Sequence, residues 1–219
     1  MEENNTQSTP DAEQISSVAS EQNFENYVTD DFDVKYSSDG SRLIKAPDNS
    51  NNIKEYIIKP GTIEICAEAF LGCESLERVT IPESVRWIAK SAFSGCTNLS
   101  SVTIGDSVEE IGSYAFSECT GLRSVSFGKS CTSIRRGAFF RCLMLTDINF
   151  GSVGEIGEDA FLECESLERV TIPESVTTIA DSAFQNCDNL KTIYIPVGSR
   201  ERFAQQVPEL SSLLVEQQA

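Results

Sequence analysis

The feature that most constrains the fold is an internal repeat with a nearly fixed period. Ala-Phe pairs recur along the chain at steps of 23, 23, 23, 22 and 23 residues, and cysteines and leucines keep the same steps. The pairs begin at Ala69, Ala92, Ala115, Ala138, Ala160 and Ala183. A repeat of this length predicts a solenoid, in which each coil buries its apolar side chains only against its neighbours.

One coil is represented by residues 76–99, LERVTIPESVRWIAKSAFSGCTNL. Val79 and Ile81 are apolar and flank the polar Thr80, which predicts a short strand with one buried face. Further apolar side chains return to the interior at Val85, Ile88, Ala92, Phe93 and Cys96. The last three have the spacing of a short helical turn. Since parallel strands lie about 4.8 Å apart, we expect the phenylalanines of successive coils to form a continuous spine.

The pattern L-x-x-V-x-I-P-x-S-V-x-x-I-x-x-x-A-F-x-x-C, which covers residues 56–194, resembles the leucine-rich repeats of the BspA-like (bacterial surface antigen type) family. Together with the period it predicts a repeat solenoid that is mainly β, although α/β by composition. We expect a right-handed leucine-rich-repeat solenoid with one parallel sheet and with short strands and helical turns on the opposite side. The resemblance also implies a surface or secreted adhesin or interaction protein.

The repeat and its flanks divide the chain into four parts. We predict a flexible acidic tail at 1–26, an N-terminal cap with a hairpin at 27–55, a solenoid of six to seven coils at 56–195, and a C-terminal capping helix and tail at 196–219. The Asp39-Gly40 turn predicts the hairpin, and Ser199 is a suitable N-cap for the helix. The turn at Gly151-Ser152-Val153 is one residue shorter than its counterpart at 128–131, and we expect the strand columns to stay in register.

The charge balance restricts the partners. The chain has 34 acidic and 17 basic residues, for a net charge of −17, which argues against nucleic acid and anionic membranes. The sequence shows no signal peptide and no apolar stretch of about 20 residues that could insert in a membrane. We therefore expect a cytoplasmic protein if Met1 is the native start, whereas the family resemblance implies the cell surface or secretion.

Residue types argue against catalysis. The chain has no histidine, which excludes histidine-based triads and histidine metal ligands. We predict no catalytic, metal or cofactor site, and no enzyme. The regularly spaced cysteines lack close Cys-x-x-Cys pairs, so we interpret them as buried small apolar residues. We interpret Asp30, Asp31 and Asp33 as a solvated acidic linker and not as a calcium site.

Two surfaces are candidates for a protein partner. The first is the outward side of the predicted sheet, with Arg78, Thr80, Ser101, Thr103, Asp147, Asn149, Arg169, Thr171 and Tyr194. The second combines basic and apolar residues at Trp87, Arg135, Arg136, Phe140, Arg141, Leu143 and Met144. We expect a non-catalytic protein-binding module that uses the sheet surface. The alternative is a structural or weakly self-associating repeat protein that uses the second surface, unless its charges are merely paired between coils: the repeat places Arg136 beside Glu158, and Arg141 between Glu118 and Glu163.

Overall fold

A computed structural model describes residues 26–47 and 52–217. Apart from Asn26, the predicted tail lies outside the described residues. The strands are β1 (Tyr27–Thr29), β2 (Lys35–Ser37), β3 (Arg42–Lys45), β4 (Glu55–Ile57), β5 (Glu64–Ile65), β6 (Arg78–Thr80), β7 (Trp87–Ile88), β8 (Ser101–Thr103), β9 (Glu110–Ile111), β10 (Ser124–Ser126), β11 (Ser133–Ile134), β12 (Asp147–Asn149), β13 (Glu155–Ile156), β14 (Arg169–Thr171), β15 (Thr178–Ile179), β16 (Thr192–Pro196) and β17 (Leu214–Gln217). A helix, α1 (Arg200–Gln206), and a 3₁₀ helix, Pro208–Leu213, precede β17.

The fold is a mostly-β solenoid of about seven turns, as the repeat predicts. In each coil the strand after the leading leucine pairs in parallel with its counterpart in the next coil. These strands form a five-stranded sheet, in the order β12-β10-β8-β6-β4, and a three-stranded sheet, in the order β14-β16-β17. Val125, for example, is aligned with Val102 on one side and with Ile148 on the other.

The second leg of each coil builds a sheet of its own. Its short strands pair in parallel along the solenoid, and the antiparallel strands β1, β2 and β3 extend the same sheet at the N-terminal end, so that it has nine strands. Its inward residues form a column of isoleucines, with Ile88 between Ile65 and Ile111. A coil therefore has two sheet-forming legs and a side made of turns.

The shorter turn has different effects on the two sheets. The nine-stranded sheet keeps its register, because Ser133 aligns with Glu155 and Ile134 with Ile156 across the missing residue. The other leg does not behave as expected: β12 and β14 lie side by side but are not hydrogen-bonded into one sheet. The expectation that the strand columns stay in register thus holds on one leg only.

The turn that carries the Ala-Phe pair is not an α-helix. It is flanked by residues with positive φ, such as Ser91 at 55° and Gly95 at 74°, and a left-handed residue ends a helical segment. The amides between them have two kinds of partner. Phe93 N donates to the carbonyl of Ala115 in the next coil at 2.7 Å, whereas Ala92 N and Ser94 N donate within the coil, to the carbonyls of Ala89 at 3.3 Å and of Ser91 at 3.1 Å. Each turn is therefore held both by its own hydrogen bonds and by the next coil.

The predicted phenylalanine spine is confirmed. Six buried rings, one per coil, stack with centroid separations of 5.1–5.3 Å and interplanar angles of 3–6°. The rings belong to Phe70, Phe93, Phe116, Phe139, Phe161 and Phe184. Phe127 and Phe150 stack beside the spine and meet Phe139 and Phe161 edge-on at 86°.

Each end of the solenoid is covered by a different structure. At the N-terminal end the Tyr36 and Tyr56 hydroxyls lie 2.7 Å apart, and Tyr56 donates to Asp30. Asp30 also accepts the backbone amides of Phe32 and Val34 at 2.9 and 3.0 Å, so this acid has a structural role. Burial raises the pKa of both tyrosines.

At the C-terminal end α1 covers the last coil with the buried Phe203. Gln206 accepts the Ile179 amide at 2.9 Å and donates to the Thr177 carbonyl at 3.0 Å, which satisfies the edge of β15. Ser199 occupies the N-cap position, but its hydroxyl donates to the Pro196 carbonyl. Instead, the Glu216 carboxylate of β17 accepts the first helical amide, that of Arg200, at 3.1 Å.

Candidate partner-binding surface

We call the outward side of β4, β6, β8, β10, β12, β14, β16 and β17 the strand face. Because side chains alternate along a strand, two outward columns run along this face, one on each side of the buried central residue. The structure places all nine predicted residues on it: Arg78, Thr80, Ser101, Thr103, Asp147, Asn149, Arg169 and Thr171 are exposed, and Tyr194 is half-buried. They form one continuous surface composed mainly of hydroxyls, with charges at only a few positions.

The charges on the strand face differ in how they are compensated. Arg78 donates to Glu55 on the preceding strand, and Lys54 pairs with Glu77 at 3.0 Å. Asp147 and Arg169, in contrast, belong to no ion pair among residues 26–47 and 52–217. These two exposed charges lie on either side of the interruption between β12 and β14.

Sequence reasoning missed two apolar residues of the strand face. Ile57 aligns with Thr80 and is 72% exposed, and Val215 aligns with Tyr194 and is 44% exposed. They lie in one outward column at its two ends. Aligning the first coil so that Tyr56 corresponds to Val79 would have placed Ile57 at the outward position of Thr80. Val215 lies beyond the repeats, so no repeat pattern could have placed it.

The second predicted surface is divided among different sides of the solenoid. Trp87 lies on the nine-stranded sheet between Glu64 and Glu110, as its column predicts, and is 40% exposed. Arg135 follows β11 and contacts Glu110 at 2.7 Å. Phe140, Arg141, Leu143 and Met144 lie on the turn side, where Phe140 and Leu143 are half-buried and Met144 is exposed.

The basic residues of this second surface are largely paired with the next coil. Arg136 contacts Glu158 at 3.5 Å and Asp159 at 3.0 Å, and Arg141 contacts Glu163 at 3.5 Å. These contacts confirm the predicted pairing of Arg136 with Glu158 and of Arg141 with Glu163. Such exposed pairs contribute little stability, and each also satisfies a charge that a partner could otherwise contact.

A shallow groove of about 360 Å³ lies along the edge of the nine-stranded sheet. Its lining includes Arg135, Arg136, Glu155 and Glu158, together with the small residues Ser113 and Gly157. Ile134, Ile156 and Ala180 also line the groove, and Arg136 and Glu158 beside it are paired with each other at 3.5 Å.

The interior offers no reactive thiol. All eight cysteines are buried, and the structure contains no disulfide between them. Five donate weak hydrogen bonds to a phenylalanine carbonyl of the preceding coil at 3.2–3.3 Å, namely Cys96, Cys119, Cys142, Cys164 and Cys187. Burial raises the pKa of Cys131 and of Cys187 to about 12, so these thiols stay protonated and unreactive.

Within the described part of the chain, no three His, Cys, Asp or Glu side chains are grouped so that they could hold a metal ion. A search for bilayer-spanning helices in the same residues also finds none of sufficient length and hydrophobicity.

Residues 45–161 and 151–207 match the pattern of the BspA-type leucine-rich repeat region, in six copies. The chain belongs to the BspA-type leucine-rich repeat family. This match covers most of the chain and confirms the resemblance seen in the repeats. No curated protein matches the sequence.

Solved structures of bacterial leucine-rich repeat proteins share the fold. A Eubacterium ventriosum protein is 24% identical, with a TM-score of 0.58 over 74% of this chain and 50% of that one. A T. pallidum leucine-rich repeat protein is 28% identical, with a TM-score of 0.51 over 80% of this chain and 70% of that one. The pneumococcal vaccine antigen PcpA is 18% identical, with a TM-score of 0.53 over 89% of this chain and 47% of that one. The chain thus spans about half the length of two of these proteins.

Proposed function

We propose that this chain is a non-catalytic protein-binding module of a surface or secreted adhesin, and that it binds its partner through the strand face. The observation that supports this most is that the predicted residues lie on one surface, where Asp147 and Arg169 form no ion pair with the residues that the structure describes. Solenoids commonly bind through such extended surfaces. The family membership supports a repeat protein that acts by interaction.

The strand face suits a protein better than a small ligand. It is flat and hydroxyl-rich, and its exposed apolar residues are few and far apart. Tyr194, Arg78 and Arg169 are of the residue types that contribute most in protein interfaces. The net charge of −17 would repel an acidic partner and accelerate association with a basic one.

The experiment measures which proteins the native full chain and two variants capture from a panel of purified extracellular-matrix proteins. One variant carries Arg78→Glu and Arg169→Glu on the strand face. The control carries Arg86→Glu and Lys90→Glu, two exposed residues outside both candidate surfaces, with the same change in net charge. We expect the strand-face variant alone to lose a captured protein. Equal capture by both variants would exclude the strand face.

Self-association is the second candidate. Phe140 is only half-buried, Met144 is 43% exposed, and the Arg141 guanidinium lies 6.0 Å from the Phe140 ring centroid. An exposed apolar patch with adjacent cations is typical of an interface. Light scattering over a range of concentrations should then show a mass increase that Phe140→Ser abolishes. A constant monomer mass would eliminate this candidate.

A further inference from the structure

The hydrogen-bonded ladder beneath the strand face is interrupted between β12 and β14, and it is reduced to the single pair Arg78–Ser101 between β6 and β8. In the other coils the amide after the leading leucine donates to the preceding coil, as from Arg123 to Ser100 and from Lys191 to Glu168, both at 2.9 Å. The corresponding bond from Glu168 to Thr146 is missing among the described hydrogen bonds. β12 and β14 are therefore adjacent strands whose facing backbone groups are not joined into one sheet.

The core is also less completely covered at the interruption. The central residues of the other strands on this face are buried, with Val125 and Val170 each only 2% exposed. Ile148, the central residue of β12, is only partly buried. Ile148 still packs against the core, but it is less completely covered than the central residues of the neighbouring strands.

The shortened turn follows β12 in the same coil. Gly151 has a φ of 54°, and a Cβ atom on it would lie 2.3 Å from the carbonyl oxygen of Phe127; a Cβ atom on Gly128, in the preceding full-length turn, would lie similarly close to the carbonyl oxygen of Gly105, at 2.4 Å. Phe127 and Phe150 beside it stack at 6.1 Å, a wider spacing than in the spine. The shortened coil pairs with both neighbours on the nine-stranded sheet, whereas on the strand face β12 pairs with β10 but not with β14.

The two charges beside the interruption differ from an equivalent pair in the intact sheet. Residues 76–85 and 167–176 have the same sequence, LERVTIPESV, so Arg78 and Arg169 occupy identical local positions. Arg78 is paired with the acid before it, Glu55. On the preceding strand, Asp147 occupies the repeat position next to Arg169, as Glu55 does for Arg78. No ion pair joins Asp147 and Arg169 in the described structure.

We infer that the interruption between β12 and β14 is the recognition centre of the strand face, and that it binds an extended peptide segment of the partner that carries one carboxylate and one cationic side chain. Arg169 contacts the carboxylate and Asp147 the cation. Ile148 contributes apolar contact, and the unpaired backbone groups accept and donate hydrogen bonds. This inference rests on the proposed use of the strand face.

The probes are synthetic nine-residue peptides of alternating Thr and Val. Lys and Glu are placed two residues apart, in both orders, so that they point to the same side of an extended chain. Peptides with Lys alone, Glu alone and neither serve as controls. Binding is followed on the full chain by amide chemical shifts at 147–149 and 169–171, with 78–80 as the internal reference.

The matched variants are Arg169→Ala and Arg78→Ala, which remove the same side chain from the same local sequence. We expect Arg169→Ala and Asp147→Ala to weaken binding of a Lys-and-Glu peptide at least tenfold, and Arg78→Ala to change it less than twofold. Inserting a glycine after Ser152 should restore the coil length, slow the exchange of the Glu168 amide and weaken binding about tenfold. Thermal unfolding verifies that each variant is folded.

Several results would overturn the inference: no binding by any peptide, equal affinity for singly charged peptides, or equal losses in the two arginine variants. Capture of the partner by the variants distinguishes failure of this inference from failure of the proposed function. If Arg78→Glu with Arg169→Glu loses the partner but the glycine insertion and Arg169→Ala keep it, the strand face binds elsewhere and the recognition centre is wrong. If the double variant keeps the partner, the proposed function itself fails.

Discussion

The ring of Phe93 stacks on the ring of Phe116 with a centroid separation of 5.1 Å and an interplanar angle of 3°. Both rings are fully buried, and Phe116 has a second stacked neighbour in Phe139. A side chain in this position stabilises three coils at once, because no coil has a core of its own.

We therefore expect Phe116→Ala to lower the free energy of unfolding by about 3–5 kcal/mol, the usual cost of removing a buried aromatic ring. Urea denaturation followed by circular dichroism measures it. Trp87→Ala is the control, since Trp87 is 40% exposed, and it should cost much less. Similar losses in the two variants would show that the spine is not the main core.

The buried thiols predict alkaline instability. The folded state raises the pKa of seven of the eight cysteines, and to about 12 for Cys66, Cys131 and Cys187. The main cause is the hydrogen bond with the Cys119 thiol at Cys96 and burial at the other six. In the unfolded chain a thiol ionises near a pKa of about 8.5. Between these values the folded chain binds more protons than the unfolded chain, so stability falls as pH rises.

Below pH 8 both states hold these protons, and the thiols should add no pH dependence. Above about pH 9 the free energy of unfolding should fall by up to about 1.4 kcal/mol per pH unit for each thiol that is ionised in the unfolded chain and protonated in the folded chain. Urea midpoints between pH 7.5 and 10.5, measured with a reductant, test this. A midpoint that stays constant to pH 10 would contradict the assignment of the thiols to the interior.

A residue's burial and register could be predicted from the sequence when the residue occupies a position that recurs in every coil. Phe93, Cys96 and Ile88 recur at every coil with the same spacing, so their burial and register follow from the period. The pairing of Arg136 with Glu158 follows from the same alignment. A repeat pattern reports average geometry, and it therefore gave no indication that β12 and β14 would lie side by side without pairing into one sheet, or that Ile148 would be only partly buried. Ile57 was missed because the first coil departs from the consensus.

One acid in the N-terminal hairpin, Asp39, has a strongly lowered pKa. Asp39 accepts the Ser37 hydroxyl at 2.6 Å and the Ser41 amide at 3.0 Å. These hydrogen bonds lower the pKa of Asp39 to about 2. The contribution of ionised Asp39 to folding stability is fully present above the ordinary aspartate pKa and is lost as pH falls toward 2. Carboxyl carbon shifts recorded from pH 6 to 1.5 should give this value, and Ser37→Ala should move it upward. An unshifted aspartate would show that the turn is open in solution.

The C-terminal cap provides a matched pair of adjacent glutamines. Gln206 bonds both Ile179 and Thr177 at the edge of β15, whereas Gln205 is exposed. Gln206→Ala leaves a strand amide and a carbonyl without their partners, which should cost about 1–2 kcal/mol, while Gln205→Ala should cost less than about 0.5 kcal/mol. Amide exchange distinguishes local from global loss: the Ile179 amide should exchange faster in Gln206→Ala while the Ile111 amide, at the centre of the same sheet, keeps its rate. If Ile179 exchange is equal in the two variants, the helix does not cap this edge and the last coil must be protected by Phe203 alone.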